Sequence, residues 1–122
     1  MRYLRIYSDE EGQSHISEHD WDMHEEDFSP PSPGGYFVTN LMPTSGVTIM
    51  CNPAGIKDVW HPIPARSLVT VLKGKIRLQT SDGDDRIVEP GDQVLFEDTT
   101  GEGHQLDEVD RQEYNFAIVR LA

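Results

Sequence analysis

The residues best placed to do chemistry are two histidines distant in the chain, His61 and His104, each in a stretch of strand-like composition. Neutral imidazole accepts protons and hydrogen bonds, and it ligates Zn, Fe, Cu and Ni. Side chains alternate between the two faces of a strand. If Val59–Ile63 faces inward at odd positions, Val59, His61 and Ile63 share one face, and Ser67, Val69 and Val71 share the inward face of the next strand. His61 and Ser67 then point into one barrel mouth, with His104 approaching from a later strand. Two converging imidazoles would begin a transition-metal site, with a third ligand from Glu97, Asp98 or Glu102 in the loop before His104. Asp58 also lies near, but strand parity turns it away from the His61 side and ranks it last. The alternative is that the two histidines hydrogen-bond within a polar cavity and hold no metal.

Other reactive side chains have plainer readings. Ser67 fits no nucleophile spacing and reads as a small inward polar residue that leaves room for a ligand or water. Arg66 could clamp a carboxylate or phosphate, but its parity is opposite to Ser67, which favours pairing with a surface acid. Cys51 is the single cysteine, so no intrachain disulfide forms; lying in Val47-Thr48-Ile49-Met50-Cys51, it is expected to be a buried hydrophobe. His15, His19 and His24 sit among Glu18, Asp20, Asp22, Glu25 and Glu26, as expected of a solvated acidic arm.

Charge narrows the partners. With 22 acidic and 10 basic residues the formal net charge is −12. Such a chain repels phosphate backbones and anionic lipid, so neither nucleic acid nor a membrane surface is expected as a partner. No apolar run approaches membrane-spanning length, and the N-terminus does not read as a secretory signal, so a cytoplasmic location is the expectation.

Around the candidate site the chain reads as short strands between turns. Eight prolines and ten glycines punctuate runs rich in β-branched and aromatic residues. Arg2–Tyr7 and Gln13–Ser17 form a predicted hairpin about Asp9-Glu10-Glu11-Gly12. The acidic stretch Glu18–Phe28 follows, then the irregular loop Ser29-Pro30-Pro31-Ser32-Pro33-Gly34-Gly35. Later strands are expected at Tyr36–Leu41, Gly46–Asn52, Val59–Ile63, Ser67–Leu72, Lys75–Thr80, Arg86–Val88, Gln93–Phe96, near His104–Leu106 and over Glu113–Leu121. Asp82-Gly83 and Glu89-Pro90-Gly91-Asp92 supply turns. The pattern is an all-β sandwich or barrel. Residues 1–35 read as an N-terminal strand, arm and loop of the same domain as a barrel over 36–122.

Two motifs carry a family resemblance. Gly55, His61 and Gly74 stand at the spacing of the first cupin motif, Gly-x5-His-x-His-x3-Glu-x6-Gly, with Ile63 and Ser67 at its second histidine and glutamate positions. Pro90–Phe96 and Gly101-Glu102-Gly103-His104 are similar to the second motif, with a loop two residues longer. The run Glu97-Asp98-Thr99-Thr100-Gly101-Glu102-Gly103-His104 resembles a subgroup of small single-domain cupins, as do Tyr3–Tyr7 and Trp60-His61-Pro62. The resemblance implies a double-stranded β-helix, or jelly-roll, barrel with an N-terminal arm, and it implies a homodimer. It also implies a divalent transition metal on His61 and His104, with Fe, Zn, Mn, Ni and Cu not distinguished.

Two functional readings follow. One is a metal-dependent enzyme acting on a small molecule by oxygenase, isomerase or lyase chemistry. The other is a metal-free small-molecule-binding module, motivated by Ile63 and Ser67 standing where the motif has ligands.

Overall fold

The computed structural model describes residues 1–122 and contains no helix. Eleven strands form: β1 (Arg2–Ser8), β2 (Ser14–Asp20), β3 (His24–Glu26), β4 (Tyr36–Val38), β5 (Thr44–Asn52), β6 (Ser67–Lys73), β7 (Ile76–Thr80), β8 (Asp85–Val88), β9 (Gln93–Phe96), β10 (His104–Glu108) and β11 (Tyr114–Leu121). A six-stranded sheet runs β2-β1-β9-β6-β11-β5, and a three-stranded sheet runs β10-β7-β8. All pairings are antiparallel except β1 with β9. The strands form an all-β jelly-roll arrangement of two main sheets.

The turns explain the pairings. At the β1–β2 hairpin the Asp9 carboxylate accepts the amides of Glu11 and Gln13, and Gly12 takes φ +84°. Gly83 at φ +91° closes β7 onto β8, as the Asp-Gly pair predicts. Alternation then sends one set of side chains between the sheets. From the large sheet come Ile6, Val69, Val71, Val94, Phe96, Tyr114 and Phe116; from the small one come Ile76, Leu78 and Val88. Ile6 and Leu78 are fully buried, each contributing about 1.5–3 kcal/mol. On the other face of the large sheet a second cluster gathers Leu68, Leu95 and Leu121 beneath Tyr3 and Trp21, and the Trp21 indole donates to Gln93 at 2.9 Å.

Three expectations need correction. Val59–Ile63 is not a strand: Pro62 and Pro64 lack the N–H groups a ladder needs, so only His61 pairs, as an isolated bridge to His104. The acidic stretch after β2 is only partly free arm, because β3 pairs with β4 as a small separate hairpin, although its side chains remain largely exposed. Cys51 is exposed, because β5 is the outermost strand of its sheet and nothing covers its outer face.

Candidate functional site

The site begins with a backbone pairing. His61 N donates to the His104 carbonyl at 3.1 Å, and His104 N donates back at 3.0 Å. Residues directly opposed in this way project side chains to the same side. The two imidazoles accordingly lie with ring centres 4.7 Å apart and planes inclined by 58°. Gly103 makes the approach possible. It sits at φ +74°, and a Cβ there would collide with the His61 carbonyl.

Each imidazole is fixed through its Nδ1. His104 is 1% exposed and bonds the fully buried Asp98 carboxylate at 2.6 Å. Phe96 packs against the same ring, with centres 4.6 Å apart and planes inclined by 52°. His61 Nδ1 lies 2.6 Å from the Val59 carbonyl and 3.4 Å from Asp58 Oδ1. A carbonyl only accepts, so His61 Nδ1 carries the proton; by the same hydrogen-bond logic Asp98 receives one from His104 Nδ1. Both Nε2 atoms are then bare acceptors. Asp98 Oδ1 is buried without a partner, so His104 is the one group that hydrogen-bonds this side chain.

The N-terminal hairpin holds the loop that carries Asp98 and His104. Ser14, fully buried, donates from Oγ to the Gly103 carbonyl at 2.6 Å and accepts the Ser81 amide at 2.8 Å. Ser8 Oγ donates to the Thr100 carbonyl, Glu102 N to Gly12 O, and Glu97 N to Ile6 O. Arg5 and Arg66 both pair with the Glu97 carboxylate. Burial opposes the charge on Glu97, but the two guanidiniums outweigh it and hold its carboxyl below the usual range.

A cavity of about 870 Å³ opens beside the imidazoles. That volume is of the size that takes small molecules. Its walls include Met50, Ile63, Phe96, Leu106, Phe116 and Ile118, with Ser67, Asn52 and Tyr114 among the polar groups. Asn52 donates to the Tyr114 hydroxyl at 2.6 Å. His61, His104, Ile63 and Ser67 all line this cavity. Ser67 Oγ donates to the Ala65 carbonyl at 2.8 Å.

The acids fall elsewhere. Glu97 faces Arg5 and Arg66, Asp98 stands behind His104, and Glu102 lies on the exposed loop; none of the three lines the cavity. Asp58, ranked last by parity, does line it, because its segment is not a strand; its Oδ2 accepts the Leu106 amide at 2.9 Å. Arg66 pairs with an acid, as its parity indicated. Both cations on the cavity wall, Lys57 and Arg120, escaped sequence reasoning. The second was legible: Tyr114, Phe116, Ile118 and Arg120 fall at every other position of β11, and the first three are inward.

No known family model matches the chain, and no curated protein does. Among solved structures it is similar to protein NMB1881 from Neisseria meningitidis, at 10% identity, covering 85% of this chain and 87% of that one, with a TM-score of 0.48. It is also similar to a candidate ethanolamine utilization protein Q from Salmonella typhimurium, at 13% identity, covering 99% and 95%, with a TM-score of 0.46. Neither likeness bears on chemistry, and the fold follows from the strand pairing alone. No helix is present that is long and apolar enough to cross a membrane.

Proposed function

We propose that this chain binds a small molecule inside its cupin-like barrel, with His61 and His104 forming the polar end of the pocket. The observation that carries the reading is the pair of imidazoles on the cavity wall, each with Nδ1 already engaged. A ligand O–H or N–H donor would find two acceptors side by side against a largely apolar wall. Bare acceptors of this kind beside an apolar wall reward a matching donor and penalise a ligand that lacks it.

A resident metal is what the fold family implies, and the donor set argues against a complete centre. Histidine ligands characteristically have their second nitrogen held by a carboxylate or carbonyl, which fits both rings. Yet no three His, Cys, Asp or Glu side chains gather to hold an ion, and Ile63 and Ser67 stand where two further ligands would be. No chemical step is therefore routed through a metal.

A second reading is favoured by the Asp98–His104 couple. A buried carboxylate behind an imidazole fixes its tautomer and orientation, so His104 Nε2 could take a proton from a bound ligand. This would be proton-transfer chemistry of the isomerase or lyase type.

Thermal-shift screening of a metabolite panel with chelator present tests the binding reading. Compounds that stabilise the wild type, and fail to stabilise His61→Ala and His104→Ala, support it. Stabilisation that appears only after divalent metal is added contradicts it. Loss of ligand C–H signals by exchange in D2O, dependent on His104, would support the proton-transfer reading.

A further inference from the structure

Cations are scarce in this chain, and all but three are neutralised. Every Lys and Arg side chain other than Lys57, Arg111 and Arg120 makes a salt bridge with an Asp or Glu. Lys57 and Arg120 line the main cavity, and Lys57 and Arg111 line a second depression adjoining it, together with Asp107, Glu108 and Asp110. In a chain with 22 carboxylates, a cation without a partner beside a pocket is available for a ligand.

Arg120 is the better placed of the two on the main cavity. It pairs in register with Ser67 on β6, and Ser67 with Phe96 on β9, whose ring packs against His104. Arg120, an exposed residue that lines the cavity, thus shares a backbone level with the strand position that packs on the His104 imidazole. Two strand spacings separate the Arg120 and Phe96 backbones, about 10 Å. Opposite Arg120 on β5 stands Gly46, where an added Cβ would meet nothing within 4 Å, so the space above the arginine is open. The single carboxylate lining the cavity, Asp58, is already engaged by the Leu106 amide and His61.

We infer that the ligand is a small carboxylic acid with an apolar body, its carboxylate held by Arg120 with Lys57 adding charge at the rim and its far end reaching the imidazoles. The inference rests on the binding reading above and narrows its ligand class. A guanidinium binds a carboxylate through two parallel hydrogen bonds, which gives orientation as well as affinity.

The test is a methyl-NMR titration of the full chain, in chelator, with hexanoate, benzoate, hexanamide, benzamide and phenyl phosphate. The acids are expected to shift the Ile63, Ile118 and Met50 methyls and to bind about tenfold or more tighter than their amides. Arg120→Gln should lower acid affinity to the amide level, Arg120→Lys should retain part of it, and Lys57→Gln should have a smaller effect. Acids and amides binding equally well in wild type and Arg120→Gln would overturn the carboxylate inference while leaving the binding reading standing. Phenyl phosphate binding tighter than benzoate would overturn the assignment to a carboxylate. No shift at these methyls with any of the five compounds would overturn the inference for pocket-sized acids, and the metabolite screen then decides the binding reading independently.

Discussion

Removing either member of the Asp98–His104 couple should cost almost as much as removing both. The bond is 2.6 Å long, and its partners are 0% and 1% exposed. A hydrogen bond to a charged group contributes about 1.5–3 kcal/mol. Asp98→Ala leaves the His104 Nδ1 proton buried without an acceptor, and His104→Ala leaves the carboxylate buried with neither oxygen partnered, since Oδ1 has none already. Leaving one buried hydrogen-bonding partner unsatisfied costs about 1–3 kcal/mol, and more where it is the charged one, because the remaining group stays desolvated. In the double variant that penalty disappears and only the lost packing remains, notably the Phe96 contact. A urea-unfolding cycle over wild type, both singles and the double should therefore give a coupling of about 2–3 kcal/mol, with the double close to the worse single. Strictly additive losses would refute the argument that the carboxylate acts on this imidazole.

Other expectations concern the scaffold. Both ring nitrogens of His15 contact carboxylates, Asp9 at 2.7 Å and Asp82 at 3.0 Å. The bond to Asp9 foremost raises the His15 pKa, and His15 foremost lowers that of Asp9; at Asp82 burial opposes the lowering, but Thr80, the Asp84 amide and His15 outweigh it. The histidine's contribution is full below its unfolded value of 6.5 and fades as pH rises through its higher folded value. The aspartates contribute above their unfolded value of 3.8 and lose that contribution as pH falls through their lower folded values. Urea midpoints should accordingly be greatest between these two unfolded values and decline on the alkaline side. His15→Gln should flatten that decline, and an unchanged profile would contradict the assignment. Gly103→Ala should lower stability by at least about 2 kcal/mol in thermal or urea unfolding, from the positive φ and the clash with the His61 carbonyl; a neutral result would mean that the bridge is not tight. The expected homodimer has a natural seat on the outer face of β5, where Val47 and Ile49 are about two-thirds exposed at an unpaired sheet edge. Light scattering should give twice the chain mass, and Ile49→Glu should halve it; a monomeric wild type would exclude the dimer.

Much of the fold was legible because its signals are local. Asp9–Gly12, Asp82-Gly83 and Glu89–Asp92 close turns through their own side chains and positive φ, and two-residue alternation in β6, β7 and β11 assigns the core faces. The convergence of His61 and His104 was also legible, through motif spacing. Parity failed at Val59–Ile63, where prolines remove the ladder on which parity depends, and with it failed the ranking of Asp58. The role of Asp98 depends on which way a loop side chain turns, which no periodicity governs. The clamp of the N-terminal hairpin on the Glu97–His104 loop joins residues such as Ser14 and Gly103 that lie far apart in sequence, and hydroxyl-to-carbonyl contacts leave no pattern in composition. Cys51 was misjudged because burial was inferred from residue type, whereas exposure follows from the place of β5 at the sheet edge.

The account stands on two bare Nε2 atoms sharing one pocket, and long-range 1H–15N spectra of the histidine rings read this directly. In chelated protein near pH 8, His61 and His104 should both appear as Nδ1-protonated tautomers, and a stabilising compound from the screen should move the Nε2 resonances of both. Nε2-protonated tautomers, or rings indifferent to a compound that stabilises the fold, would contradict it.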